Sequence, residues 1–253
     1  MKIGAQLFTA REHTTNLADF SETLKKIADM GYNYVQVSGT CAYEAEWLRE
    51  QLAVSGLECP VTHTPPNRIA DDTENVAREH NVFGCGITGI GMAPGGFANG
   101  LSDYVAFKER FMHAAEKLKT FGVKLGYHNH HVEFQRFGDK TILDMMVEDF
   151  SKEQLAIILD TYWVQYSGGN PVEWIRKLKG YLSCIHFKDM TIIVDKQKIA
   201  VVGEGNLNWN DIIAACNESE VDFAFVEQDD CNGEDSLECL RRSYNYLHSL
   251  GLD

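Results

Sequence analysis

Val123-Lys124-Leu125-Gly126-Tyr127-His128-Asn129-His130 reads as a short strand whose far end turns from apolar to ionisable. Side chains alternate across a strand, so His128 and His130 share one face and Tyr127 and Asn129 the other. If Leu125 and Tyr127 pack against helices, both histidines point the opposite way, inward. Three later runs close in the same manner. Leu155 to Leu159 ends at Asp160, Leu182 to Ile185 ends at His186 with Lys188 and Asp189 just beyond, and Phe223 to Val226 ends at Glu227. One acidic residue at a strand end ordinarily caps the next helix or pairs with a loop cation. Four successive strands ending in potential ligands form a pattern, and a closed parallel barrel explains it, because such a barrel gathers its strand ends around one mouth.

The rest of the chain supplies the other units. Ile3 to Phe8 is the first strand-like run, Tyr34 to Val37 the second, Pro60 to His63 the third and Ile87 to Met92 the fourth. Between them lie amphipathic segments: Leu17, Phe20, Leu24 and Ile27 recur at helical spacing before Gly31, and Val105, Phe111, Ala115 and Leu118 share a face before Gly122. Further helices are expected from about Tyr43 to Gly56, over 71–82 and 141–149, after Asn170-Pro171, and from Asn208 to about Asn217; Leu237, Leu240, Tyr244 and Leu247 mark the last. Strands alternating with helices mean parallel βα units. Eight of them in 253 residues favour an α/β fold, a single-domain (β/α)8 TIM barrel over 1–253, rather than an open doubly wound sheet. Gly84-Cys85-Gly86-Ile87-Thr88-Gly89 fits the dinucleotide-binding spacing, but its glycines enter a strand instead of opening a helix, so that reading is rejected.

Composition removes several classes of function. The formal charge of -14 argues against nucleic acid or an anionic membrane as partner, and against a metal-dependent endonuclease. No stretch approaches the roughly 18 to 20 apolar residues that span a bilayer. Met1-Lys2 leads straight into the first strand without an apolar leader, and the seven cysteines contain no CxxC pair. Reduced thiols in the cytoplasm are therefore expected, with neither a disulfide framework nor a structural zinc site. An aspartate, a histidine and a glutamate at one mouth, without thiolate, suit Mn2+, Mg2+, Co2+ or Zn2+.

These segments resemble the xylose-isomerase-like TIM-barrel superfamily nearly end to end. Gly126 to Phe134 is similar to a "YHNHxxEF" subgroup, and Leu159 to Gln165, His186 to Met190, Val202 to Gly205 and Val226 to Asp229 match in order. The resemblance implies a metal held by Glu, Asp, His and Glu from consecutive late strands. Asp160, His186 and Glu227 take the last three places. Glu133 is expected in the first, with His128 as its rival, since His128 stands where related epimerases carry a glutamate. The implied activity is isomerisation or epimerisation of a hydroxy-ketone or keto-sugar through an enediolate, with His128, His130 and Lys188 as catalytic groups and His63 and Trp163 on the substrate. Glu204 is expected to serve its loop and Arg11 to lie exposed. The histidine pair also fits a dehydratase, lyase or hydrolase of inosose or 3-keto-glycoside type, and a non-catalytic carbohydrate-binding barrel is the alternative of another class. The expected partner is a small-molecule carbohydrate, and a homo-oligomer is compatible with all of this.

Overall fold

The computed structural model describes residues 1–253. Eight parallel strands close into one barrel: β1 (Lys2–Gln6), β2 (Tyr34–Val37), β3 (Glu58–His63), β4 (Ile87–Ile90), β5 (Lys124–His128), β6 (Leu155–Asp160), β7 (Leu182–Phe187) and β8 (Phe223–Val226). The ring runs in chain order and shuts where β8 pairs with β1, Lys2 opposite Phe223. Around it lie α1 (Leu17–Asp29), α2 (Ala45–Ser55), α3 (Pro66–Asp71), α4 (Thr73–Val82), α5 (Leu101–Lys119), α6 (Ile142–Asp149), α7 (Thr161–Tyr166), α8 (Pro171–Lys177), α9 (Trp209–Glu218) and α10 (Ser236–Ser249).

Strand alternation sorts every barrel residue into one of two environments. Leu125, Tyr127, Leu155, Ile157, Leu159, Ile185, Phe187, Ala224 and Val226 face outward and are buried in the helix-covered core. The other parity faces the barrel axis. There Val61, Ile158, Cys184 and Phe225 form a separate apolar plug, with Tyr34, Ile87 and Phe223 packed against it. The plug needs room: a Cβ on Gly126 would lie 2.9 Å from Ile87 Cγ2 and 3.1 Å from Ile158 Cδ1. One step further along the same inward parity come Gln6, Gln36, His63, His128, Asp160, His186 and Glu227. The apolar plug is thus the floor on which a polar layer rests, at the C-terminal mouth where barrel active sites form.

Several boundaries differ from the sequence reading. The expected helix over 71–82 is α4, starting two residues later, and a short helix not anticipated, α3, precedes it across Asp72, whose backbone is non-helical. β3 begins two residues before Pro60, and its pairing with β2 shifts register between Tyr34 and Gln36, which accommodates a proline lacking a ladder donor. β5 stops at His128 because Asn129 turns its side chain across to accept the Asp160 backbone N–H at 3.1 Å. Two short antiparallel ribbons, Arg136–Phe137 with Lys140–Thr141 and Asp189–Ile193 with Lys196–Ala200, were not anticipated.

Candidate active site

Asp160 and His186 are register partners on β6 and β7, which brings their inward side chains side by side. His128 from β5 and Glu227 just past β8 complete a group whose ligating atoms all lie within 4.8 Å of one another, and all four residues are buried. His128 Nε2 is 3.2 Å from Asp160 Oδ2 and 3.9 Å from Glu227 Oε2, while His186 Nδ1 is 2.8 Å from Glu227 Oε2. Lys188, buried above β7, sets its ammonium 2.9 Å from Asp160 Oδ2, 2.7 Å from Glu227 Oε2 and 3.1 Å from Asp229 Oδ2.

Each donor is gripped on its outer side. Asp160 caps α7, its Oδ1 accepting the Trp163 N–H at 3.0 Å, so Oδ2 is left for the cluster. His128 Nδ1 lies 3.1 Å from the Gly91 carbonyl. A carbonyl only accepts, so Nδ1 carries a hydrogen and Nε2 is the atom that faces Asp160 and Glu227. Positive charge belongs between that nitrogen and the carboxylates, either the proton of an imidazolium or, once that proton leaves, a cation. The charges give the same answer: three carboxylates (Asp160, Glu227, Asp229) surround one ammonium in a buried space. The donor set of two imidazoles and two carboxylate oxygens therefore fits a divalent cation of borderline hardness.

The ionisation of the cluster follows from that crowding. Burial works against the charge on His128, yet Asp160 and Glu227 hold its pKa above the ordinary value. Burial likewise opposes the Lys188 ammonium, but its carboxylate neighbours raise it further. Asp160 and Glu227 are held below the usual carboxylate range, burial being overcome chiefly by Lys188. Burial and the Glu227 charge push Asp229 up to about 6. His130 falls to about 3, by burial and then by His128 and Lys188, and His63 falls well below its ordinary value for similar reasons.

A cavity of about 720 Å³ opens over this layer, with His63, His128, His130, Lys188, Glu227 and Asp229 in its wall and Phe8, Tyr43 and Met92 among its apolar lining. His63 Nε2 and His130 Nδ1 are buried without a hydrogen-bond partner. They are donors or acceptors held in reserve, since a buried polar atom left unpaired is costly.

Most residues singled out from sequence converge here; two do not. Glu133 lies outside the cluster, and His128 has the place expected for it. Past His128 the chain leaves the strand, and a 3-10 turn at Val132–Phe134 carries Glu133 to the outer face. There its carboxylate accepts from Tyr127 Oη at 2.5 Å and from the His130 backbone N–H at 2.7 Å. Trp163 is not in the cavity wall; it packs on His130 with ring centroids 5.2 Å apart. Asp229, Gln6 and Gln36 were not singled out. Asp229 repeats the inward parity of Glu227, and the glutamines are buried amides in apolar strands. Those were the available signals. Asp189, beyond His186, faces away from the site and accepts N–H groups of Gly203, Gly205 and Leu207 and the Trp209 indole. Glu204 of that loop pairs with Arg242, and Arg11 lies exposed against Phe8 and the Asp229 carbonyl.

Residues 24–243 match the family described as xylose isomerase-like TIM barrel. The chain belongs to that family. Among solved structures, a sugar phosphate isomerase/epimerase from Parabacteroides distasonis superposes on this xylose isomerase-like barrel with a TM-score of 0.82 at 22% identity, covering 98% of this chain and 93% of that one. A probable 3-DHS dehydratase, AsbF from Bacillus anthracis, gives 0.75 at 15% identity over 98% and 99% of the two chains. An L-ribulose 3-epimerase gives 0.75 at 16% identity over 100% and 95%. At such identities the likeness is one of fold. No curated protein matches the sequence.

Proposed function

We propose that the protein is a divalent-metal-dependent enzyme that moves a proton at the carbon beside the ketone of a sugar or cyclitol, giving isomerisation or epimerisation. The observation that carries this reading is the buried cluster itself: inward-facing His128, Asp160, His186 and Glu227, beside an ammonium, with His128, Glu227 and Lys188 reaching the wall of a cavity that also holds two neutral imidazoles. His128, Asp160, His186 and Glu227 would hold the ion, which when bound supplies Lewis acidity toward a carbonyl and a neighbouring hydroxyl. Lys188 is placed to hold negative charge that develops on the substrate oxygen. Asp229, with a pKa near 6, is the group placed to accept and return the proton, and His130, neutral and with Nδ1 open, is placed to hydrogen-bond a substrate oxygen. His63 offers a further open ring nitrogen to a substrate hydroxyl.

A second reading is favoured by one observation. The β5 corner of the cluster is His128, so no carboxylate from that strand faces Glu227. An exchange between two glutamates is therefore not built into this site. Once the α-proton leaves, its electron pair can instead form a C=C bond as a β-oxygen substituent departs with a proton from the site. That outcome is a lyase or dehydratase, and it shares the first step.

The test is NMR of ketohexoses, inososes and 3-keto-glycosides incubated in D2O with the Mn2+- or Co2+-loaded protein, which is removed before the spectra are taken. Deuterium beside the carbonyl is expected, and its loss in Asp160→Asn. No incorporation and no product from any of the panel would refute the reading and leave a binding barrel.

A further inference from the structure

Two strands that contribute no donor to the cluster nevertheless touch it. Gln6 closes β1 and Gln36 lies in β2, paired in register and both fully buried. Gln6 Oε1 accepts the Phe8 backbone N–H at 2.5 Å. That fixes the orientation of its amide, and Nε2 donates to Glu227 Oε1 at 2.7 Å. Glu227 is left with Oε2 for the cluster, where His186, Lys188 and His128 meet it. On the next strand, Gln36 Oε1 lies 2.6 Å from His186 Nε2, while His186 Nδ1 looks into the cluster.

We propose that Gln36 and Gln6 are positioning residues that fix which atoms the cluster offers its ion: Nδ1 of His186 and a single oxygen of Glu227. A neutral imidazole carries one N–H. With that hydrogen taken by Gln36 Oε1 at Nε2, Nδ1 presents a lone pair inward. With Oε1 tied to Gln6, Glu227 engages through Oε2 alone. The glutamines do for β7 and β8 what the Gly91 carbonyl does for His128 and the Trp163 N–H for Asp160, so every donor has an outer partner. Partners of this kind orient ligands and raise their basicity.

This inference rests on the metal reading of the cluster, and the experiment separates the two. Mn2+ affinity is measured by chelator competition for the wild type, Gln36→Met, Gln36→Glu and Gln6→Met. Long-range 1H–15N NMR of the Zn2+-loaded protein reports which ring nitrogen of His186 carries hydrogen. Gln36→Met and Gln6→Met are expected to weaken Mn2+ binding by about 10- to 100-fold. Gln36→Glu keeps an acceptor at that place, and is expected to retain affinity and the Nε2–H tautomer. If the methionine variants do not fold, Gln36→Glu decides alone. Loss of the Nε2–H form or of affinity in Gln36→Glu overturns the proposal, as does unchanged affinity in the methionine variants. A wild type that binds no divalent ion overturns both the metal reading and this inference.

Discussion

Lys188 and Asp160 lie 2.9 Å apart, yet their loss should read differently. Asp160→Asn removes a donor charge and is expected to abolish stoichiometric Mn2+ binding along with activity. Lys188→Met leaves the four donors in place. It is expected to bind Mn2+ at least as tightly while kcat/KM falls by about 100-fold or more, the usual cost of losing a group that stabilises developing charge. Metal titration beside steady-state kinetics distinguishes the two, and a Lys188→Met protein that loses its ion instead would assign the lysine a structural part. At this scale the sequence was legible wherever the strand still ran. Asp160, His186, Glu227 and His128 follow from a period of two and a strand end. Glu133 does not, because beyond His128 the chain turns and spacing no longer reports direction. Gln6 and Gln36 carry no charge to draw attention, and only three-dimensional neighbours reveal what they hold.

Elements succeed or fail by the groups that pin them. Asp189 receives four hydrogen bonds from the loop that follows its ribbon and from Trp209, and a Cβ on Gly205 would lie 2.3 Å from its Oδ1. Asp189→Ala leaves the buried Trp209 indole and three partly buried N–H groups without their acceptor and is expected to cost about 3 kcal/mol, read as a lower urea midpoint. The cluster residues sit on neighbouring strands and would feel the change only indirectly. A separate pH dependence resides in α4. His80 is buried, with Nδ1 against the Val76 carbonyl and Nε2 against Thr62 Oγ1, and burial lowers its pKa from 6.5 to about 4. The folded protein thus resists a proton that the unfolded chain takes up. The associated stability is complete above about pH 6.5 and lost as pH falls toward 4, at most roughly 3 kcal/mol. Urea unfolding at pH 7 and pH 5 should show a smaller acid loss for His80→Phe than for the wild type; equal losses would contradict this. The motif pair His186 to Met190 and Val202 to Gly205 was visible in sequence as two fragments. That Asp189 joins them was not, since the ribbon between them has no distinctive pattern beyond exposed Ile192, Ile193 and Val194.

At the level of the whole molecule, the eight-strand count and the strand-end pattern were enough to recover the closed barrel. Its fine boundaries were set by local events, such as Pro60 in β3 and Asn129 after β5, which periodicity does not encode. No helix is long and apolar enough to cross a membrane. With a formal charge of -14, the protein is expected to show no retention by duplex DNA in a gel-shift assay at 0.15 M salt. A single buried ion should also be felt globally. At an ion concentration about 100-fold above Kd, binding to the folded state alone adds about 2.7 kcal/mol, a rise in Tm of about 5 to 10 °C that a chelator reverses. Whether the polar layer above the apolar plug is a cation site is tested most directly by anomalous diffraction from crystals grown with Mn2+. The expected result is one strong peak bounded by His128 Nε2, Asp160 Oδ2, His186 Nδ1 and Glu227 Oε2, with Glu133 still turned to Tyr127. A peak that includes Glu133 in place of His128, or no peak in that layer at saturating Mn2+, would contradict it.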